Sequence, residues 1–207
     1  MKNKKRLQRV SVVLVSLLTL AMVQFIGSAC DDSGGTSSTT TGTVAIFYGS
    51  TINGYPLKVW DWVDSGKHLD YDDRDSKYAS YVTRAAAVWN GYKSGIIRPD
   101  SATVMQDVHI SDVNLSNVAW AGLTQLTDNY GNATTGTNTI YLNSAYLDQS
   151  SWTDNNRLKV VIHEFGHALG LAHNNGTTAN VMHSSDPRSV TLSVNDKASY
   201  DAAYSHY

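Results

Sequence analysis

His163-Glu164-Phe165-Gly166-His167-Ala168-Leu169-Gly170-Leu171-Ala172-His173 is the stretch on which the reading of this 207-residue chain turns. On an α-helix, residues four apart share a face, so His163 and His167 can present two imidazoles to one metal ion. Glu164, one position on, lies beside that ion, where it can take a proton from water without being a ligand. A straight helix would carry His173 away from the ion. Gly170 resolves this, because glycine adopts the left-handed conformation that ends a helix and lets the chain double back. Three imidazoles leave a fourth position for water and substrate, the arrangement of a catalytic rather than a structural zinc site. Histidines merely satisfied on a buried helix would not require this spacing, and Glu164 is the sole glutamate in a chain whose other acidic residues are all aspartate.

Outward from this stretch, Ser151, Thr153 and Asp154 offer caps for a helix that runs to about Leu169, with Gly170 as its stop. A second helix is expected over 193–205, where Ser193 and Asp196 form a capping-box-like pair and Ala198, Ala202 and Ala203 suit close packing. Upstream, alternating residues predict strands over 44–48, 57–63, 104–110, 118–126 and 139–142, with a Gly/Asn/Thr-rich loop over 128–138. Tyr81, Ala85, Val88 and Trp89 fall at helical spacing within 76–92, a helix expected to pack on the sheet. Strands around one packing helix, followed by two late helices, give an α+β class.

The central stretch resembles the H-E-x-x-H-x-x-G-x-x-H signature of the metzincin metallopeptidases. Asn180-Val181-Met182-His183 follows His173 at a matrixin-like interval, so Met182 resembles the methionine of the turn beneath the zinc in that family. Two residues later stands Ser184 rather than the tyrosine of astacin-like and serralysin-like members, which favours the matrixin-like branch. Leu192-Ser193-Val194-Asn195-Asp196 and Tyr204 resemble the matrixin C-terminal helix, and residues 85–89 its first helix. The resemblance implies a zincin-like α+β domain with a twisted mixed sheet, a packing helix, an active-site helix and a C-terminal helix. It implies a zinc-dependent endopeptidase: His163, His167 and His173 hold one catalytic Zn2+, Glu164 is the general base, and Gly170 and Met182 give structural support. The substrate would lie along the strand at 118–126, and the loop at 182–190 would wall the pocket beyond the cut. Matrixins also carry a structural zinc on histidines in the loops before the active-site helix. The loop at 128–138 has no histidine, so one zinc is expected, with Ca2+ left open. Matrixin latency uses a propeptide cysteine, and no cysteine stands where a prosegment would place it.

Residues 1–29 read as a signal peptide, with a basic start, an apolar run and the small residues Gly27-Ser28-Ala29; a membrane anchor is the alternative. Cys30 is the sole cysteine, so no intramolecular disulfide forms. Its position resembles the lipobox of bacterial lipoproteins, although Gly27 stands where leucine is usual, and ordinary cleavage is the competing reading. The Ser/Thr/Gly-rich tract over 30–43 suits a tether to the catalytic domain at 44–207. The expectation is an exported protein, lipid-anchored through Cys30 at the cell surface or otherwise secreted. Five of sixteen basic residues lie in the first nine positions, leaving eleven against eighteen acidic, about −7. No basic cluster remains for nucleic acid. The expected partner is a protein or peptide substrate met by a monomer; a tethered zinc-binding adhesion protein without turnover is the alternative. His68 among Asp64, Asp70, Asp72, Asp73 and Asp75 offers the makings of a calcium loop, but a solvated acidic loop is the favoured reading, because the spacing does not match an EF-hand. His109 and His206 show no partner in the sequence, and His183 is either pocket-lining or exposed.

Overall fold

The computed structural model describes residues 42–47, 51–52, 55–56, 63–64, 66–125, 138–185 and 189–207. The signal peptide, Cys30, nearly all of the tether, the strand expected over 57–63 except its last residue, and residues 128–137 of the expected loop lie outside them. Two short strands, β1 (Thr51–Ile52) and β2 (Tyr55–Pro56), form an antiparallel pair. The main sheet contains β3 (Leu69–Asp72), β4 (Ile97–Pro99), β5 (Val108–Val113), β6 (Gly122–Gln125) and β7 (Asn138–Asn143), ordered β4-β3-β5-β7-β6. The first four are mutually parallel; β6 pairs antiparallel with β7 and, among the described residues, has no strand on its other edge. The sheet is therefore mixed. Its apolar centre is Leu69, Ile110, Ile140 and Leu142, all without exposure.

The helices are α1 (Ala79–Asn90), the single turn α2 (Ser144–Leu147), α3 (Asp154–Ala168) and α4 (Val194–Tyr204). α1 buries Val82, Ala85, Ala86 and Trp89, positions three or four apart that make one apolar stripe. That stripe packs on α3 and β4. Trp89 donates its indole N–H to the carbonyl of Ile162 at 2.9 Å, fixing α1 to α3 one residue before His163. A buried indole needs such a partner.

Several boundaries differ from the sequence expectation. β5 starts at Val108 rather than 104, because Ser101 and Val104 bridge each other in a tight turn and Met105 points into solvent. Of residues 44–48, Ile46 makes an isolated bridge to Leu171 rather than a strand, and residue 48 lies outside the described part. β3 and β4 were not expected at all. β3 reads Leu-Asp-Tyr-Asp, yet all four residues are buried. Each of its aspartates is taken up by an arginine fork: Arg98 reaches Asp70 at 2.8 and 2.7 Å, and Arg74 reaches Asp72 at 2.7 Å through both nitrogens. Bidentate pairing lets a carboxylate enter a strand that polarity alone assigns to a loop. The acidic run is thus not simply a solvated loop.

Candidate metal centre

α3 begins at a capping box. Thr153 Oγ1 accepts from the Asn156 amide at 3.2 Å, and Asn156 Oδ1 accepts from the Thr153 amide at 3.0 Å. Asn156 does here what glutamate or glutamine usually does. The helix then buries every residue from Leu158 to Gly166. At its other end Gly170 has φ +86, the Gly170 amide donates to the His167 carbonyl at 2.9 Å, and the Leu171 amide donates to the Gly166 carbonyl at 2.9 Å. This paired closure is a Schellman motif, and it reverses the chain so that His173 returns towards His163 and His167.

The three imidazoles converge. Nε2 of His167 lies 3.0 Å from Nε2 of His163 and 3.2 Å from that of His173, and the remaining pair is 3.1 Å apart. Nδ1 of His163 donates to the Val181 carbonyl at 2.7 Å, and Nδ1 of His167 to the Leu171 carbonyl at 2.8 Å. Those bonds fix the tautomers of His163 and His167 and leave the Nε2 of each with a lone pair. Two lone pairs at this distance repel unless a cation stands between them. Ligand nitrogens about 2.0–2.1 Å from a tetrahedral zinc are about 3.3 Å from each other, so the triangle fits that ion with little adjustment. Burial holds the His163 imidazole well below its usual pKa and lowers His167 to about 3; it lowers His173 as well. All three are neutral at pH 7, as metal ligation requires.

Glu164 is buried beside the triad. Thr124 Oγ1, on β6, lies 2.7 Å from Glu164 Oε2 and 3.0 Å from the Glu164 carbonyl oxygen. Loss of solvent pushes the Glu164 carboxyl up to about 7, the Thr124 hydrogen bond and the Lys159 charge acting in the opposite direction.

Met182 is fully buried, its thioether packed against Gly166 of α3. Its turn is held by Asp196, whose Oδ2 accepts from the amides of Val181 (2.9 Å) and Ser193 (2.8 Å), and whose Oδ1 accepts from that of Met182 (3.2 Å). Ser193 caps α4 in return, so the predicted capping box also supports the methionine turn. The Asn174 amide donates to the Met182 carbonyl at 2.9 Å and joins that turn to the residue after His173. Residues 42–47 cross the same region: the Ala172 amide donates to the Ala45 carbonyl at 3.0 Å, the Phe47 amide to that of Gly170 at 2.9 Å, and the Phe47 ring stands 5.7 Å from that of His167.

The structure therefore brings together His163, His167, His173, Glu164, Gly170 and Met182, and it leaves the other histidines outside the cluster. His68 faces Asp64 at 3.2 Å, within the acidic run the sequence set around it, and His109 lies 3.6 Å from Asp72 and 3.5 Å from Asp75, partners that the sequence did not reveal. His183 Nδ1 accepts from the Ser185 amide at 3.2 Å. His206 lies past the end of α4, where its amide donates to the Ala203 carbonyl at 2.9 Å. Two neighbours of the cluster escaped the sequence reading. Thr124 carries no signal in an ordinary strand pattern. Lys159 does, as the one charged side chain in the buried face from 158 to 166 apart from Glu164 and the histidines; its Nζ donates to the His183 carbonyl at 2.9 Å.

A family model described as Matrixin (Peptidase_M10) matches residues 67–205. Among solved structures, archaemetzincin from Methanopyrus kandleri aligns with a TM-score of 0.46 at 15% identity, over 69% of this chain and 99% of that one. The GM1-bound form of the ECX AB5 holotoxin aligns with a TM-score of 0.44 at 16% identity, over 79% of this chain and 87% of that one. No curated protein matches the chain in sequence.

Proposed function

The chain belongs to the matrixin family of zinc metallopeptidases, and on that premise we propose that it is an endopeptidase that cuts extracellular proteins, with His163, His167 and His173 as the zinc ligands and Glu164 as the general base. The observation that carries this reading is the convergence of three neutral imidazoles, 3.0 to 3.2 Å apart at Nε2, beside one buried carboxylate. A zinc ion in that triangle would supply a Lewis acid that polarises the scissile carbonyl and acidifies water.

The chain's own groups do the rest. Glu164 takes a proton from the attacking water and passes it to the amine nitrogen as the peptide bond breaks. The outer edge of β6 offers backbone groups to an extended substrate in the manner of an added strand, on the side of the sheet edge where Thr124 meets Glu164. The His183 carbonyl, held by Lys159, fixes the start of the loop that walls the pocket. Export rests on residues 1–29 and tethering on Cys30 and the tract that follows it.

The test is cleavage of a mixed peptide library by the purified protein. Activity lost to a chelator and restored by zinc is expected, as is a fall of roughly 10²–10⁴-fold in kcat for Glu164→Gln with zinc retained. Zinc binding without cleavage by the unaltered protein would instead mark a binding protein. Full activity in Glu164→Gln would remove the glutamate from its role.

A further inference from the structure

Glu164 is held from one side by a strand that the zinc-ligand signature does not include. β6 pairs with β7 so that Gly122 stands opposite Leu142 and Thr124 opposite Ile140. Positions two apart on a strand share a face, and here that face is turned to α3. The two residues meet the two oxygens of one carboxylate. A Cβ built on Gly122 would lie 2.7 Å from Glu164 Oε1 and 2.6 Å from Val160 Cγ1, so bare backbone closes on that oxygen. Thr124 Oγ1 reaches the other oxygen at 2.7 Å.

We propose that Thr124 is a positioning residue for the general base: its hydroxyl, with the bare backbone of Gly122 opposite, fixes the plane of the Glu164 carboxylate and so decides which oxygen faces the water. The inference rests on the reading of Glu164 as the base. The physical ground is the softness of the last torsion of a glutamate, which is broad and roughly two-fold and has no strong preference of its own. Burial restricts where the carboxylate sits, and the Thr124 hydroxyl on Oε2, beside a contact from the Thr124 backbone, sets its rotation. Proton transfer depends on that rotation, since a base must be within hydrogen-bond reach of the proton it removes. Thr124 touches neither the imidazoles nor their carbonyl partners, so metal binding is independent of it. The residue sits on the strand proposed to meet the substrate, and a separation of kcat from KM distinguishes the two roles.

The test uses the full chain with Thr124→Val, which keeps the shape and removes the hydroxyl, and Thr124→Ser, which keeps the hydroxyl. Thr124→Val should lower kcat by roughly 10- to 100-fold, the scale of a slightly misplaced catalytic group. KM and the zinc dissociation constant should each stay within about twofold of the unaltered protein, and Thr124→Ser should recover most of kcat. Because Glu164 is the sole glutamate, cell-free synthesis with glutamate labelled at the carboxyl carbon gives one ¹³C signal that reports on it alone. That signal should move in Thr124→Val and stay in place in Thr124→Ser. Unchanged kcat in Thr124→Val, an unmoved carboxyl signal, a rise in KM alone, or equal damage from both variants would each overturn the inference. Glu164→Gln run in parallel separates the two readings. If it is inactive while Thr124→Val is fully active, only the role of Thr124 falls; if it is active, the role of Glu164 falls with it.

Discussion

The sulfur of Met182 occupies the space that a side chain on Gly166 would need. A Cβ built on Gly166 would lie 2.2 Å from Met182 Sδ and 3.1 Å from Trp89 Cζ2. Gly166→Ala must therefore push the methionine turn away from α3. Overpacking of this kind costs about 1–3 kcal/mol, which for a domain of this size lowers Tm by about 2–4 °C per kcal/mol. A double-mutant cycle with Met182→Ala checks the cause: the two changes should couple, the second recovering part of the loss from the first. Strict additivity would place the strain elsewhere.

Gly170 matters in a different way from Gly166, through its backbone angle of +86°. A left-handed residue with a Cβ costs roughly 1–2 kcal/mol. The turn can relax from that strain only by moving His173, so Gly170→Ala should weaken zinc binding by about tenfold, the equivalent of 1.4 kcal/mol. Competition titration against a chelating dye reads this directly. A variant with lower Tm and unchanged zinc affinity would show that the turn absorbs the strain without the third imidazole.

Asp196 is fully buried and accepts from the backbone amides of three residues in two segments. Asparagine has one acceptor oxygen and turns a donor towards at least one of those amides. Hydrogen bonds to a charged group contribute about 1.5–3 kcal/mol each, so Asp196→Asn should cost at least that much in urea unfolding. Zinc affinity should fall too, because the Val181 carbonyl that orients His163 sits on the same turn.

Asp107 supplies a pH dependence unconnected with the metal. Burial, reinforced by the nearby charges of Asp70 and Asp64, raises its carboxyl to about 6, although its Oδ2 accepts from the Asp70 amide. Its folded pKa is above the unfolded value, so the native state binds the extra proton. This group's contribution is fully present below the unfolded pKa near 3.9 and is lost as pH rises through about 6. Asp107→Asn should therefore gain stability over the unaltered protein between pH 4.5 and 7, measured as the change with pH in their Tm difference. A difference that is flat across that range would refute the assignment.

How much was legible follows from what each residue depends on. The histidine spacing, the glycine stop and the caps of α3 and α4 are local facts, since a helix repeats every few residues and its ends need nearby partners. Of the expected strands, 118–126 encloses β6, 139–142 falls inside the longer β7, 104–110 overlaps β5, and 44–48 yields an isolated bridge at Ile46. β3 was hidden because its aspartates are neutralised by Arg74 and Arg98, the second of them 28 residues from its partner Asp70. Thr124 was hidden for a related reason. Its distance of 40 residues from Glu164 becomes a 2.7 Å contact only once the sheet has formed.

The bridge between Ile46 and Leu171 has a practical meaning for anyone trimming the gene. The family match starts at residue 67, yet a fragment begun there would strip the Ala172 amide and the Gly170 carbonyl of their partners and uncover the His167 ring that Phe47 shields. It would also bare the side chains of Asn174, Asn195 and Ser199, which bond the backbone of Thr43 and Ala45. Expression boundaries that respect the molecule fall before residue 42, and a shorter fragment would be expected to lose its grip on the metal before it lost its fold.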